Sequence, residues 1–174
     1  MSKAQLKKEL ASLDKEQIIQ VVLDAYAARK ETKAYFDFFL NPDVDRLTDK
    51  YKIKIAREFG RTKRRLSKAR ISVINGAVKE FASYDPGAEH VIDLTLYVIN
   101  FALMTEDAVT FSDTLYKGIA KMTLSLLGYG EEHLLADRVL AGLLPATDQS
   151  APCGSRYFRR LLRDTIAGFR PGID

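Results

Sequence analysis

The chain has 174 residues, 47% hydrophobic and 29% charged, with a formal net charge of +4. That length suits one domain, residues 1–174, with enough chain to bury a core. No 18-residue apolar run lacks charge and the N-terminus has no apolar signal core, so neither a membrane span nor secretion is expected. A single cysteine, Cys153, excludes an internal disulfide and multi-cysteine zinc sites and points to a reducing, cytoplasmic setting.

Charge is unevenly placed along this mildly basic chain. Residues 52–70 hold nine Lys or Arg and one acid, Glu58. Residues 71–155 carry eleven acids against four bases, and the last nineteen residues are basic again. Two basic blocks therefore flank a long acidic one.

Helical signals run through the chain. Residues 5–13 predict a short leading helix. Asp14 and Gln17 resemble a capping box ahead of Ile18, Ile19, Val22, Leu23 and Tyr26 at helical spacing. Residues 33–40 are dense in aromatics and read as a buried helix. Asn41-Pro42-Asp43 is a helix start, followed by an apolar face of Leu47, Tyr51, Ile55 and Phe59, with Gly60 as the stop. Residues 61–66 read as a linker. Ile71, Ile74, Val78 and Phe81 mark the next helix. After Asp85-Pro86, Val91, Leu94, Val98 and Phe101 mark another, and residues 105–111 read as a loop.

Ser112 caps a helix built on Leu115, Ile119, Met122 and Leu126, closed at Gly128. Residues 131–144 read as a separate helix stopped by Pro145, and residues 145–154 as a polar loop. Ser155 opens a last helix with Phe158, Leu161, Leu162 and Phe169 on its apolar side. No β alternation bounded by turns is present, so no sheet is expected. The fold class is all-α, with eight or nine helices in mostly antiparallel pairs.

Gly87-Ala88-Glu89-His90 is matched 43 residues later by Gly130-Glu131-Glu132-His133, and Ser112 with Leu115 by Ser155 with Phe158. A period of this length is that of HEAT or armadillo helix pairs. An irregular bundle of similar helices explains the matches equally well, so both architectures stay open.

No signature of a known chemistry is present: no phosphate-binding glycine loop, no nucleophile elbow, no His-Glu-x-x-His. No cofactor is expected. His90 with Asp93, and His133 with Asp137, have the i+3 and i+4 spacing that can hold a metal, and a metal-dependent enzyme centred there is the weakest of three readings. The competing account is that Glu and His recur at helix starts for geometric reasons. Cys153 beside Ser155 and Arg156 has no assignable base, so it does not read as a nucleophile.

The basic residues are the stronger candidates: Arg61, Lys63, Arg64, Arg65, Lys68 and Arg70, together with Arg156, Arg159, Arg160 and Arg163 on one face of the last helix. Such residues can neutralise phosphates along a nucleic-acid backbone. They can equally be balanced by the acidic block within the molecule or bind an acidic partner. Few aromatics interleave with them, which argues against a base-stacking platform. The leading reading is a non-enzymatic interaction or scaffold module, through a protein partner or self-association, with nucleic-acid backbone binding as the alternative.

The opening Ser2–Leu10, the stretch Tyr35–Pro42 and Ser67-Lys68-Ala69-Arg70 resemble a family of small bacterial proteins grouped as a domain of unknown function. The resemblance covers most of the N-terminal half and weakens beyond it. An aromatic, acidic loop expected after the mid-chain helix is poorly matched by residues 105–112. The resemblance implies an all-helical protein of the bacterial cytosol.

Overall fold

The computed structural model describes residues 2–148 and 154–170. Among these the fold is all-α, with nine helices and one two-stranded hairpin. The helices are α1 (Lys3–Leu10), α2 (Lys15–Ala28), α3 (Lys30–Leu40), α4 (Val44–Phe59), α5 (Ile71–Ala82), α6 (Ala88–Glu106), α7 (Asp113–Glu132), α8 (Ala136–Thr147) and α9 (Arg156–Ala167). The hairpin strands are β1 (Thr62–Lys63) and β2 (Leu66–Ser67). The chain divides into two compact units, residues 1–43 and 44–174.

The first unit holds α1 to α3. The Asp14–Gln17 capping box forms as its spacing predicts. Helices α2 and α3 pack together, and the Tyr26 hydroxyl donates to Asp37 at 2.8 Å. The expectation of a buried aromatic helix fails: no residue of α3 is buried, and Phe39 and Leu40 are 66% and 76% exposed. A three-helix unit this small has too little chain to enclose its own aromatics.

The second unit is organised around α6. Nine of its residues are buried, from Val91 to Leu103, spread round the helix rather than along one stripe. A helix buried on all sides lies at the centre of its unit, and α6 packs against α4, α5, α7 and α8. The α4 face of Leu47, Tyr51, Ile55 and Phe59 is buried as predicted, and α9 buries Phe158 and Leu162. Ser112 and Ser155 cap α7 and α9 by accepting from Leu115 and Phe158 amides.

Several sequence expectations change. Gly128 does not close α7, which runs on through Gly130 to Glu132. Gly130 is there because a side chain would collide: a Cβ would lie 2.7 Å from Val139 Cγ2 on α8. Pro145 lies inside α8 rather than stopping it. Proline in a last turn forfeits one donor, a small loss where the helix is about to end. Helix α4 begins at Val44, past Asn41, and α6 extends into the expected 105–111 loop. The 43-residue correspondence recurs in the Ser112 and Ser155 caps but not in the two Gly-x-Glu-His stretches. Gly87 precedes α6 with φ 101°, whereas Gly130 lies inside α7 and His133 follows its end. Of the expected polar loop 145–154, residues 149–153, Cys153 among them, lie outside the described residues.

Candidate functional site: a pinned basic hairpin beside an arginine-faced helix

The segment after α4 is not a plain linker, and the expectation of no sheet is corrected here. Residues 61–68 fold back as an antiparallel hairpin, with Thr62 opposite Ser67 and Lys63 opposite Leu66. The Lys68 amide closes its open end by donating to the Arg61 carbonyl at 2.7 Å. The two-residue tip is Arg64-Arg65, with φ of 50° and 61°. Both central residues at positive φ define the type I′ turn that matches strand twist. Asn-Gly is its usual sequence. A side chain in this region costs about 1–2 kcal/mol per residue, so two arginines are an expensive choice. That is why the sequence gives no turn signal here.

Two sets of contacts hold the hairpin. At its base, the buried Glu58 carboxylate accepts from Arg61 Nη1 at 2.9 Å, from Arg70 Nε at 2.9 Å and from the Arg70 amide at 2.9 Å. Arg70 Nη2 reaches the second oxygen at 3.2 Å. The Arg70 side-chain bond, joined by its amide and by Arg61, holds the carboxyl down at about 2 although burial pushes the other way. Along its side, the hairpin meets the α6–α7 connection: the Ser67 amide donates to the Thr110 carbonyl, and the Thr110 amide donates to the Arg65 carbonyl, each at 2.9 Å.

The start of α9 is fixed at the same connection. The Asp107 carboxylate accepts from the Gly154 amide, and Glu106 accepts from the Ser155 amide, both at 2.6 Å. The other Glu106 oxygen accepts from the Tyr116 hydroxyl. Burial first, and then this bond, pushes the Tyr116 phenol up to about 12. Phe111, on the same connection, lies 6.0 Å from the Phe59 ring and 5.9 Å from the Phe158 ring. The ends of α4 and α6, the hairpin and the start of α9 therefore converge at one end of this unit.

The ten basic candidates separate by their partners. Arg61 and Arg70 are spent on Glu58. Arg159 is structural, donating to the Gly154 carbonyl through Nε and Nη2 and to the Asp148 carbonyl at 3.1 Å. Arg160 keeps a loose pair with Asp164 at 3.8 Å, both largely exposed, which is worth little. Among the described residues, Lys63, Arg64, Arg65, Lys68 and Arg156 make no ion pair within 4.0 Å, and all five are exposed. Arg163 is half-buried. An open cleft of about 700 Å³ runs along α9, lined by Arg156, Tyr157, Arg159, Arg160 and Arg163. The acidic block thus meets the basic one only in part. Among the described residues Glu80 pairs with Lys54, Glu106 and Asp107 hold backbone amides, and the acid that neutralises Arg61 and Arg70 is Glu58, within the basic block itself. The signal for Glu58 was legible, since it is the single acid among nine bases and stands three residues before Arg61.

The histidine candidates are not brought into a metal cluster: among the described residues, no three His, Cys, Asp or Glu side chains form one. Asp93 receives a bidentate pair from Arg138, at 3.0 and 2.7 Å. His90 lies in the first turn of α6, while His133 follows the end of α7 with its ring 4.2 Å from that of Tyr129. Asp137 is exposed in the first turn of α8.

Among the described residues no helix is long and apolar enough to cross a membrane. Neither the curated proteins nor the solved structures yield a match. A family model does match, over residues 1–143, well past the N-terminal half and into α8, leaving α9 beyond it. The chain accordingly belongs to a family of unknown function, DUF6155.

Proposed function

We propose that this chain is a non-enzymatic interaction module of the bacterial cytosol whose partner is the phosphate backbone of a nucleic acid. The observation that carries the reading is the division among the cations. Glu58 absorbs Arg61 and Arg70, while Lys63, Arg64, Arg65 and Lys68 stay exposed and, among the described residues, make no ion pair, on a hairpin that α4 and Thr110 hold in place. Concentrated like charge on a fixed support repels itself until a polyanion arrives, and releasing the counterions of that polyanion drives association. Arg156 and Arg160, on a helix anchored at the same end of the unit, extend the contact.

The experiment is fluorescence anisotropy with labelled duplex and single-stranded oligonucleotides across a salt series. Four hairpin cations on four phosphates give a log–log salt slope of about −4, or about a hundredfold loss of affinity between 50 and 200 mM salt. Absence of binding at low salt, or binding indifferent to salt, refutes the reading.

A further inference from the structure

We infer that the Arg64-Arg65 tip selects duplex over single-stranded nucleic acid by entering the minor groove; this rests on the backbone-binding reading above. Three observations converge. Both tip residues hold positive φ, a conformation retained against steric cost mainly where the surrounding structure enforces it and function uses it. The tip is also exposed and narrow. Residues 61–66 are all exposed, and a two-residue turn presents its side chains foremost, so the guanidinium groups rather than the ribbon are what a minor groove about 6 Å wide admits. The third is chemical. Arginine sheds water more readily than lysine, and a narrow A·T groove concentrates negative potential that attracts it. Lys63 flanks the tip, where the groove walls carry phosphates, and Lys68 stands at the hairpin's open end. No aromatic side chain stands on residues 60–70, so the hairpin has nothing on which to stack an unpaired base.

The Glu58 and Thr110 contacts fix the hairpin before any ligand binds, so little ordering cost opposes entry.

The test is the double variant Arg64→Asn, Arg65→Gly, which installs the preferred type I′ pair and keeps the hairpin. Thermal unfolding should rise by about 2–4 °C, while affinity for an A·T-rich duplex falls at least tenfold further than affinity for a single strand, which loses only two phosphate contacts; an equal loss on both overturns the inference. For the native chain, a polyamide that fills the A·T minor groove should compete with it. A variant that binds the A·T duplex as tightly as the native chain overturns the inference, as does native binding untouched by the polyamide. In those cases salt-dependent binding would survive, and only groove entry would fall. If no oligonucleotide binds at low salt, backbone binding and groove entry fall together.

Discussion

Replacing Glu58 by Gln removes one charge and almost no volume, so its cost isolates the electrostatic clamp under the hairpin. The Glu58 side chain is 7% exposed. Its carboxyl is lowered from an ordinary 4.5 to about 2, chiefly by the Arg70 bond. At 1.36 kcal/mol per tenfold, that lowering corresponds to about 3 kcal/mol. Arg61 and Arg70 are about half exposed, at 46% and 59%, and solvent around them trims the figure towards about 2 kcal/mol. The folded value lies below the unfolded one, so the stabilisation is fully present above about pH 5. It is lost as pH falls through the folded value near 2. Urea unfolding of the native chain and Glu58→Gln should therefore differ by about 2 kcal/mol at pH 7, and the gap should close as pH approaches 2. A gap below about 0.5 kcal/mol at pH 7, or one that does not shrink in acid, would refute the clamp.

Two further perturbations test the packing that positions the site. Gly128→Ala should stabilise by up to about 1 kcal/mol, since a helical Cβ there meets nothing within 4 Å. Gly130→Ala, two residues on, should cost about 1–2 kcal/mol, because the buried, stiff Val139 side chain cannot move aside; equal thermal shifts for the two would be contrary. Glu106→Gln keeps one acceptor but discards the charge facing the Ser155 amide, so it should cost about 1–2 kcal/mol. Its mark would be a Tyr116 phenol, followed by ultraviolet titration, that ionises at lower pH than in the native chain.

The helices were legible because their cause is local. Leu47, Tyr51, Ile55 and Phe59 recur at helical spacing and share the core face the spacing assigns. Ser112 and Ser155 announce starts that need only three residues to recognise. What was hidden depends on partners distant in sequence. Gly130 looks like a stop until Val139 is seen against it. The aromatics of α3 read as core, yet burial needs a surrounding that sequence density does not supply. The hairpin was hidden for a different reason: its turn contradicts turn chemistry, and its support comes from Thr110, more than forty residues on. Of the ten basic candidates, periodicity grouped the α9 four correctly on one helix, but nothing local distinguishes Arg159, bound to backbone carbonyls, from Arg156, which makes no ion pair.

The end of α6 has one more consequence. A carboxylate at the C-terminus of its own helix faces the negative pole of the macrodipole, an unfavourable place for Glu106 and Asp107. Here the two carboxylates accept from Ser155 and Gly154, at the positive pole of α9. The poles meet in series, and the two acids sit between them as a bridge. The Gly154, Ser155 and Phe158 amides are thereby satisfied from within the molecule, and a further anion at this pole would meet the charge of the two carboxylates. Any phosphate that reaches α9 must be held side-on, by its outward guanidinium groups.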